Sequence, residues 1–164
     1  MNKKLLAALL MSTALLSTAC GDDDEPHDEN VDVEGCEHLR EGPAAAVNAT
    51  LTGTPPSVSN DHRRYDIALV DGAAGHRGSV SFAAAEATDY VLYLSANVPV
   101  SITDASGAAV EIEESATSSE SCTDIKGRHV VPLSVGTFTF TFGPTPSASV
   151  NLVVEEASHE GHEH

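Results

Sequence analysis

The residues best suited to chemistry in this 164-residue chain are its eight histidines and three cysteines. Three histidines close the sequence in the run His159-Glu160-Gly161-His162-Glu163-His164. His-x-x-His and His-x-His spacings hold imidazoles close together, and neutral imidazole suits zinc, copper and nickel. His159, His162 and His164 are therefore the leading candidates for metal capture. An open tail loses chain entropy when it binds and fixes no geometry, so a plain solvated end is the competing reading. A second set is His38, His62 and His129. His62 lies in the polar loop Asn60-Asp61-His62-Arg63-Arg64-Tyr65, and His129 opens the strand that continues through Val130 and Val131. These three form a metal site only if the fold gathers them. As strand-end residues they would instead bond backbone or water.

The cysteines divide into one and two. Cys20 follows a leader with three zones: Lys3 and Lys4, the apolar run 5–16, and the small residues Ser17, Thr18 and Ala19. That is the layout of a secretory signal over 1–19, and the run is short for a membrane span. The segment Leu15-Leu16-Ser17-Thr18-Ala19-Cys20 resembles the bacterial lipobox, with its leucine one position earlier than usual. The resemblance implies lipidation of Cys20 by a diacylglycerol and an N-acyl chain such as palmitate. Two or more chains anchor stably where one is marginal. It also implies a place in the cell envelope, and Gly21 after the cysteine favours the outer membrane over retention at the inner one.

An envelope location is oxidising, so the two remaining cysteines, Cys36 and Cys122, are expected to pair as a disulfide. The alternative is a metal site built from Cys36 and His38. It has only two close ligands, and no second pair nearby completes a tetrahedral set.

The chain carries 25 Asp and Glu against 8 Lys and Arg, a formal charge of −17 that becomes −19 once Lys3 and Lys4 leave with the leader. So acidic a chain does not bind nucleic acid by counterion release, and anionic head groups repel it. Its natural partners are metal cations, basic surfaces or an envelope protein. The acids crowd into 22–37, where no Lys or Arg relieves them, so 20–43 is expected to be an extended, flexible tether. Sequence motifs for catalysis are missing: no Gly-x-Ser-x-Gly elbow, no His-Glu-x-x-His and no phosphate loop occurs. A non-enzymatic protein without a resident organic cofactor is expected.

The elements that must position these residues read as strands. Runs rich in β-branched or alternating residues fall at 45–52, 64–70, 78–84, 90–95, 99–103, 109–113, 129–133, 137–142 and 148–155, separated by Gly, Pro, Asp and Ser. The clearest is Thr137-Phe138-Thr139-Phe140-Thr141-Phe142, whose period of two puts three rings on one face. Strands at this spacing predict an all-β, antiparallel β-sandwich, Ig-like or jelly-roll-like, over 44–155, followed by a His/Glu-rich tail over 156–164. Val80, Phe82, Leu92, Leu94, Ile102, Val110, Ile112, Val131, Phe138, Phe140, Phe142, Val150 and Leu152 are expected in the core. The stretches Gly78-Ser79-Val80-Ser81-Phe82, Asp104-Ala105-Ser106-Gly107 and Gly136-Thr137-Phe138-Thr139-Phe140 resemble the pre-peptidase C-terminal type of extracellular sandwich module. The whole chain resembles small acidic bacterial lipoproteins. Neither resemblance implies catalytic residues.

Overall fold

The computed structural model describes residues 31–157. It is a two-sheet β-sandwich with one helix on its outer face. The helix is α1 (Val31–Glu41). The strands are β1 (Ala44–Asn48), β2 (Ser57–Val58), β3 (Arg64–Ala68), β4 (His76–Ala84), β5 (Thr88–Leu94), β6 (Val100–Asp104), β7 (Ala109–Val110), β8 (Glu114–Ala116), β9 (Gly127–Leu133), β10 (Gly136–Thr145) and β11 (Ser149–Glu156). One sheet runs β1-β3-β11-β5-β9-β8 and the other β2-β4-β10-β6-β7.

The all-β sandwich read from the sequence is the observed class, and each of the nine expected strands has a counterpart. The sheets are mixed rather than wholly antiparallel: β1 pairs with β3, and β2 with β4, in parallel. Two crossovers are the cause: 59–75 joins β2 to β4 by way of β3 in the other sheet, and 49–63 joins β1 to β3 by way of β2. Each carries the chain to the opposite sheet and back again, and only such a long connection returns a strand in the same direction.

Between the sheets lies the main core, which holds every residue expected there except Val110 and Ile112; these two pack against it and are only partly buried. Alternation puts Phe138, Phe140 and Phe142 inside, with Phe140 stacked on Phe82 at 5.3 Å and Tyr90 meeting Phe82 edge-on at 5.1 Å. Strands β5 and β11 are buried on both faces. Leu92, Leu152 and Val154 point into the main core, while Val91, Tyr93 and Val153 point outward into a second cluster with Cys36, Leu39, Cys122 and Ile125.

That second cluster is the floor on which α1 rests, and it corrects one expectation. Residues 31–41, read as part of a flexible tether, are a docked helix. Its acids Asp32 and Glu34 sit in the first turn and His38 and Arg40 in the last, each sign favourable to the helix dipole. Its buried stripe is short: Gly35, Cys36 and Leu39. Gly35 permits the close approach, because a Cβ there would stand 2.9 Å from Tyr93 Cζ and overlap the ring further. The helix ends at Gly42, whose N–H donates to His38 O at 3.0 Å. The Arg64 guanidinium donates to the free carbonyl of Leu39 at 3.3 Å.

A helix this short is marginal alone, so its ties to the sandwich decide its position. Cys36 and Cys122 form the expected disulfide, with Cα atoms 5.7 Å apart and a separation of 86 positions in sequence. In the chain-entropy picture a loop of that size is worth about 4–5 kcal/mol. Asp32 receives hydrogen bonds from Tyr93 Oη at 2.7 Å, Ser119 Oγ at 2.7 Å and Arg128 Nε at 2.8 Å. Burial disfavours the charged Asp32, but these donors, Arg128 foremost, prevail and hold its pKa below the ordinary 3.8. Arg40 adds an ion pair to Asp124.

Candidate metal centre

Four side chains from three parts of the chain converge beside α1. Glu34 and His38 are four residues apart on the helix, so both face the same way. Glu155 comes from β11, two residues beyond Val153 and therefore on the same, helix-facing side of the sheet. His62 comes from the loop between β2 and β3. One ligand atom from each of Glu34, His38, His62 and Glu155 lies within 4.8 Å of every other.

The loop is built to hold His62 in place. Tyr65 Oη accepts from Ser59 N–H at 3.1 Å and donates to Asp61 Oδ1 at 2.9 Å, while Asn60 Nδ2 donates to Glu156 Oε1 at 2.7 Å. His62 itself has φ of 56°, the left-handed region that costs a non-glycine residue on the order of 1 kcal/mol or more. Among the described residues it is the single non-glycine with positive φ. Strain of this kind persists only where the surroundings fix it, and it concentrates at functional sites.

Glu155 is the unusual member. Its side chain is 1% exposed, against 19% for His38 and 54% for His62. Its Oε1 lies 2.6 Å from His38 Nδ1, and its Oε2 lies 3.5 Å from His62 Nδ1. His62 Nδ1 is also 3.5 Å from Glu34 Oε1, and the two imidazole centroids are 4.9 Å apart. Burial raises the pKa of Glu155, the neighbouring His38 counters part of that, and the Glu34 charge adds to it. A carboxylate withdrawn from water beside a second carboxylate is costly unless a cation joins them.

The spacing suits such a cation. Zinc bonds to nitrogen and oxygen are about 2.0–2.1 Å, which sets ligand atoms about 3.3–3.4 Å apart around a tetrahedron. The two His62 distances of 3.5 Å are already close to that edge. The hydrogen-bonded His38–Glu155 pair must open by about 0.7 Å to admit the ion, exchanging a proton for a metal. Two imidazoles and two carboxylates carry a charge of −2, which a divalent ion cancels. With no thiolate in the set, the chemistry favours Zn²⁺, Cu²⁺ or Ni²⁺ over Cu⁺.

The structure thus brings together two of the three internal histidines expected at a metal site, His38 and His62, and leaves out the third. His129 pairs across from Leu92 and so faces the main core, on the opposite side of the sheet from Glu155. Its Nδ1 lies 2.9 Å from Ser115 Oγ, and burial lowers its pKa. The two acids escaped the sequence reading. Glu34-x-x-x-His38 was the available signal for one, hidden by reading its segment as tether. Glu155, a carboxylate in step with Val153 on a double-faced strand, was the signal for the other. Cys36 is engaged in the disulfide and is no ligand. Cys20, the leader, and the tail histidines His159, His162 and His164 lie outside the described residues. Among the described residues no helix is long and apolar enough to cross a membrane. Compared with known protein families and with curated proteins, the chain matches none.

Proposed function

We propose that the chain is a lipid-anchored, non-catalytic protein of the bacterial cell envelope whose β-sandwich binds one divalent transition-metal ion, zinc or copper, through Glu34, His38, His62 and Glu155. The observation that carries this reading is Glu155. A buried carboxylate facing two imidazoles and a second carboxylate is a poor way to stabilise a sandwich and a good way to hold a divalent cation. The leader and Cys20 support the anchor, and the outer membrane remains the favoured site because Gly21 follows the cysteine. The tail histidines His159, His162 and His164 supply a second site without fixed ligand spacing, and a protein of the envelope is the partner this reading expects.

Calorimetric titration with zinc tests the centre. The whole chain should bind one ion tightly at the centre and a further ion weakly through the tail. Glu155→Gln should lose the tight event and His159→Ala/His162→Ala/His164→Ala only the weak one. A tight event that survives Glu155→Gln and disappears with the tail substitutions overturns the assignment. Labelling of growing bacteria with a clickable palmitate analogue tests the anchor: label should attach to the wild type and not to Cys20→Ala.

A further inference from the structure

We propose that the Cys36–Cys122 disulfide sets the affinity of the metal centre, so that the oxidised domain holds its ion and reduction of the disulfide by a dithiol releases it. The inference rests on the metal-binding reading above and names the regulation of that site.

The geometry divides the four ligands between two bodies. Glu34 and His38 belong to α1, while His62 and Glu155 belong to the sandwich. Binding therefore needs α1 in one register against β11. Cys36 sits between the two helical ligands, two residues from each, and is buried on the floor formed with Leu39, Val91, Tyr93 and Val153. Its disulfide fixes the middle of the helix to Cys122, in the segment that leads into β9. The remaining ties are non-covalent: Asp32 at the first turn, Arg40 and the Leu39 carbonyl at the last, and between them the His38–Glu155 hydrogen bond, which the ion itself displaces.

The switching step balances simply. A thiolate of the incoming dithiol attacks one sulfur of the Cys36–Cys122 bond, and the other cysteine leaves as thiolate. The second thiol of the dithiol then attacks the mixed disulfide and frees the first cysteine. The dithiol leaves oxidised to its own disulfide. The protein gains two electrons, and the two protons appear on Cys36 and Cys122. With the covalent tie gone, α1 is docked for a smaller fraction of the time. The apparent affinity falls by that fraction, since only the docked state assembles four ligands. Linkage demands the converse: a bound ion must make the disulfide harder to reduce by the same factor.

The experiment uses the whole chain carrying Cys20→Ser and alanine at His159, His162 and His164, so that only the centre and the one disulfide report. Zinc affinity is measured by competition with a chromogenic chelator, for the oxidised protein and for Cys36→Ala/Cys122→Ala, which offers no thiolate to the ion. The disulfide midpoint is measured in dithiothreitol redox buffers with and without saturating zinc. We expect affinity at least tenfold weaker in the double variant, and a midpoint lowered by about 30 mV for each tenfold of coupling. Equal affinities in the two proteins overturn the coupling while leaving the metal centre standing. An oxidised protein that binds no zinc overturns the centre and the coupling together. If the double variant fails to fold, by loss of its near-ultraviolet tyrosine signal, the midpoint decides: a midpoint that zinc leaves unchanged or raises overturns the proposal.

Discussion

Replacing Glu155 with methionine separates a metal ligand from a structural clamp, because the two roles predict opposite signs for stability. In the ion-free protein Glu155 is 1% exposed, and a buried carboxylate costs several kcal/mol of desolvation. Its charge-assisted hydrogen bond with His38 returns only about 1.5–3 kcal/mol. Methionine fills the same length of slot beside Val91 and Val153 and adds about 1.5–3 kcal/mol of apolar burial. The residue left behind is a histidine with 19% of its side chain exposed, so its freed nitrogen is within reach of water. Glu155→Met should therefore raise the stability of the ion-free protein at neutral pH by about 1–3 kcal/mol, or about 3–5 °C in Tm for each kcal/mol in a domain of this size.

The pH dependence follows from the sign of the shift. Burial raises the folded pKa of Glu155, so the wild type loses stability as pH rises through that value. The advantage of the variant should appear above it and vanish toward the unfolded carboxylate pKa of about 4.3. Zinc should reverse the ranking. At a hundred times Kd an ion stabilises the wild type by about 2.7 kcal/mol, and the variant, short of one ligand, should gain almost nothing. Differential scanning calorimetry with chelator and with zinc reads both effects. A variant less stable than wild type without metal, still raised by zinc as the wild type is, would refute the reasoning and make Glu155 a clamp for α1.

Three further outcomes follow from the same structure. Asp32→Asn should cost about 2–3 kcal/mol at pH 7 by weakening the Arg128, Ser119 and Tyr93 network. Because the folded pKa of Asp32 is depressed, its stabilisation is present above the unfolded carboxylate value and lost as pH falls through the folded one, so urea midpoints of variant and wild type should converge as pH falls below the unfolded carboxylate value. Gly35→Ala should gain about 1 kcal/mol in helix propensity and lose about 1–3 kcal/mol against the Tyr93 ring. It should also weaken zinc binding by displacing α1, and zinc affinity unchanged from wild type would show that the helix position is irrelevant to the centre. Phe140→Ala, in the main core at 0% exposure, should cost about 3–5 kcal/mol by urea denaturation while the folded variant keeps its zinc affinity.

The sandwich was legible because its signal is local and repeated. Alternation of Thr and Phe over 137–142 names the buried face of β10 without knowledge of its neighbours, and Gly and Pro mark where strands stop. Pairing direction was not legible, since the parallel edges depend on where the crossovers 49–63 and 59–75 travel, and nothing in their composition says so. The helix was hidden for a related reason. Its apolar stripe is three residues, one of them a glycine, and the acids around it carry the composition of a solvated tether. What holds it is a bond to Cys122, 86 residues away, and a tyrosine hydroxyl on β5 that reaches Asp32.

The disulfide could be inferred from two cysteines left over in an oxidising compartment, yet its consequence could not be. By docking residues 31–41 it turns Glu34 and His38 inward, toward Glu155 and His62. The same consideration explains why histidine counting found half the centre. Imidazoles are conspicuous in a sequence, whereas one glutamate among 25 acids is not. Glu155 stands out only once β11 is seen to be buried on both faces, for then the position two beyond Val153 must hold either an apolar side chain or a charge with a purpose. The carboxylate there converges with two imidazoles and a second acid, one ligand atom of each lying within 4.8 Å of the others, which is why the functional reading falls on this cluster and not on the more visible histidines of the tail.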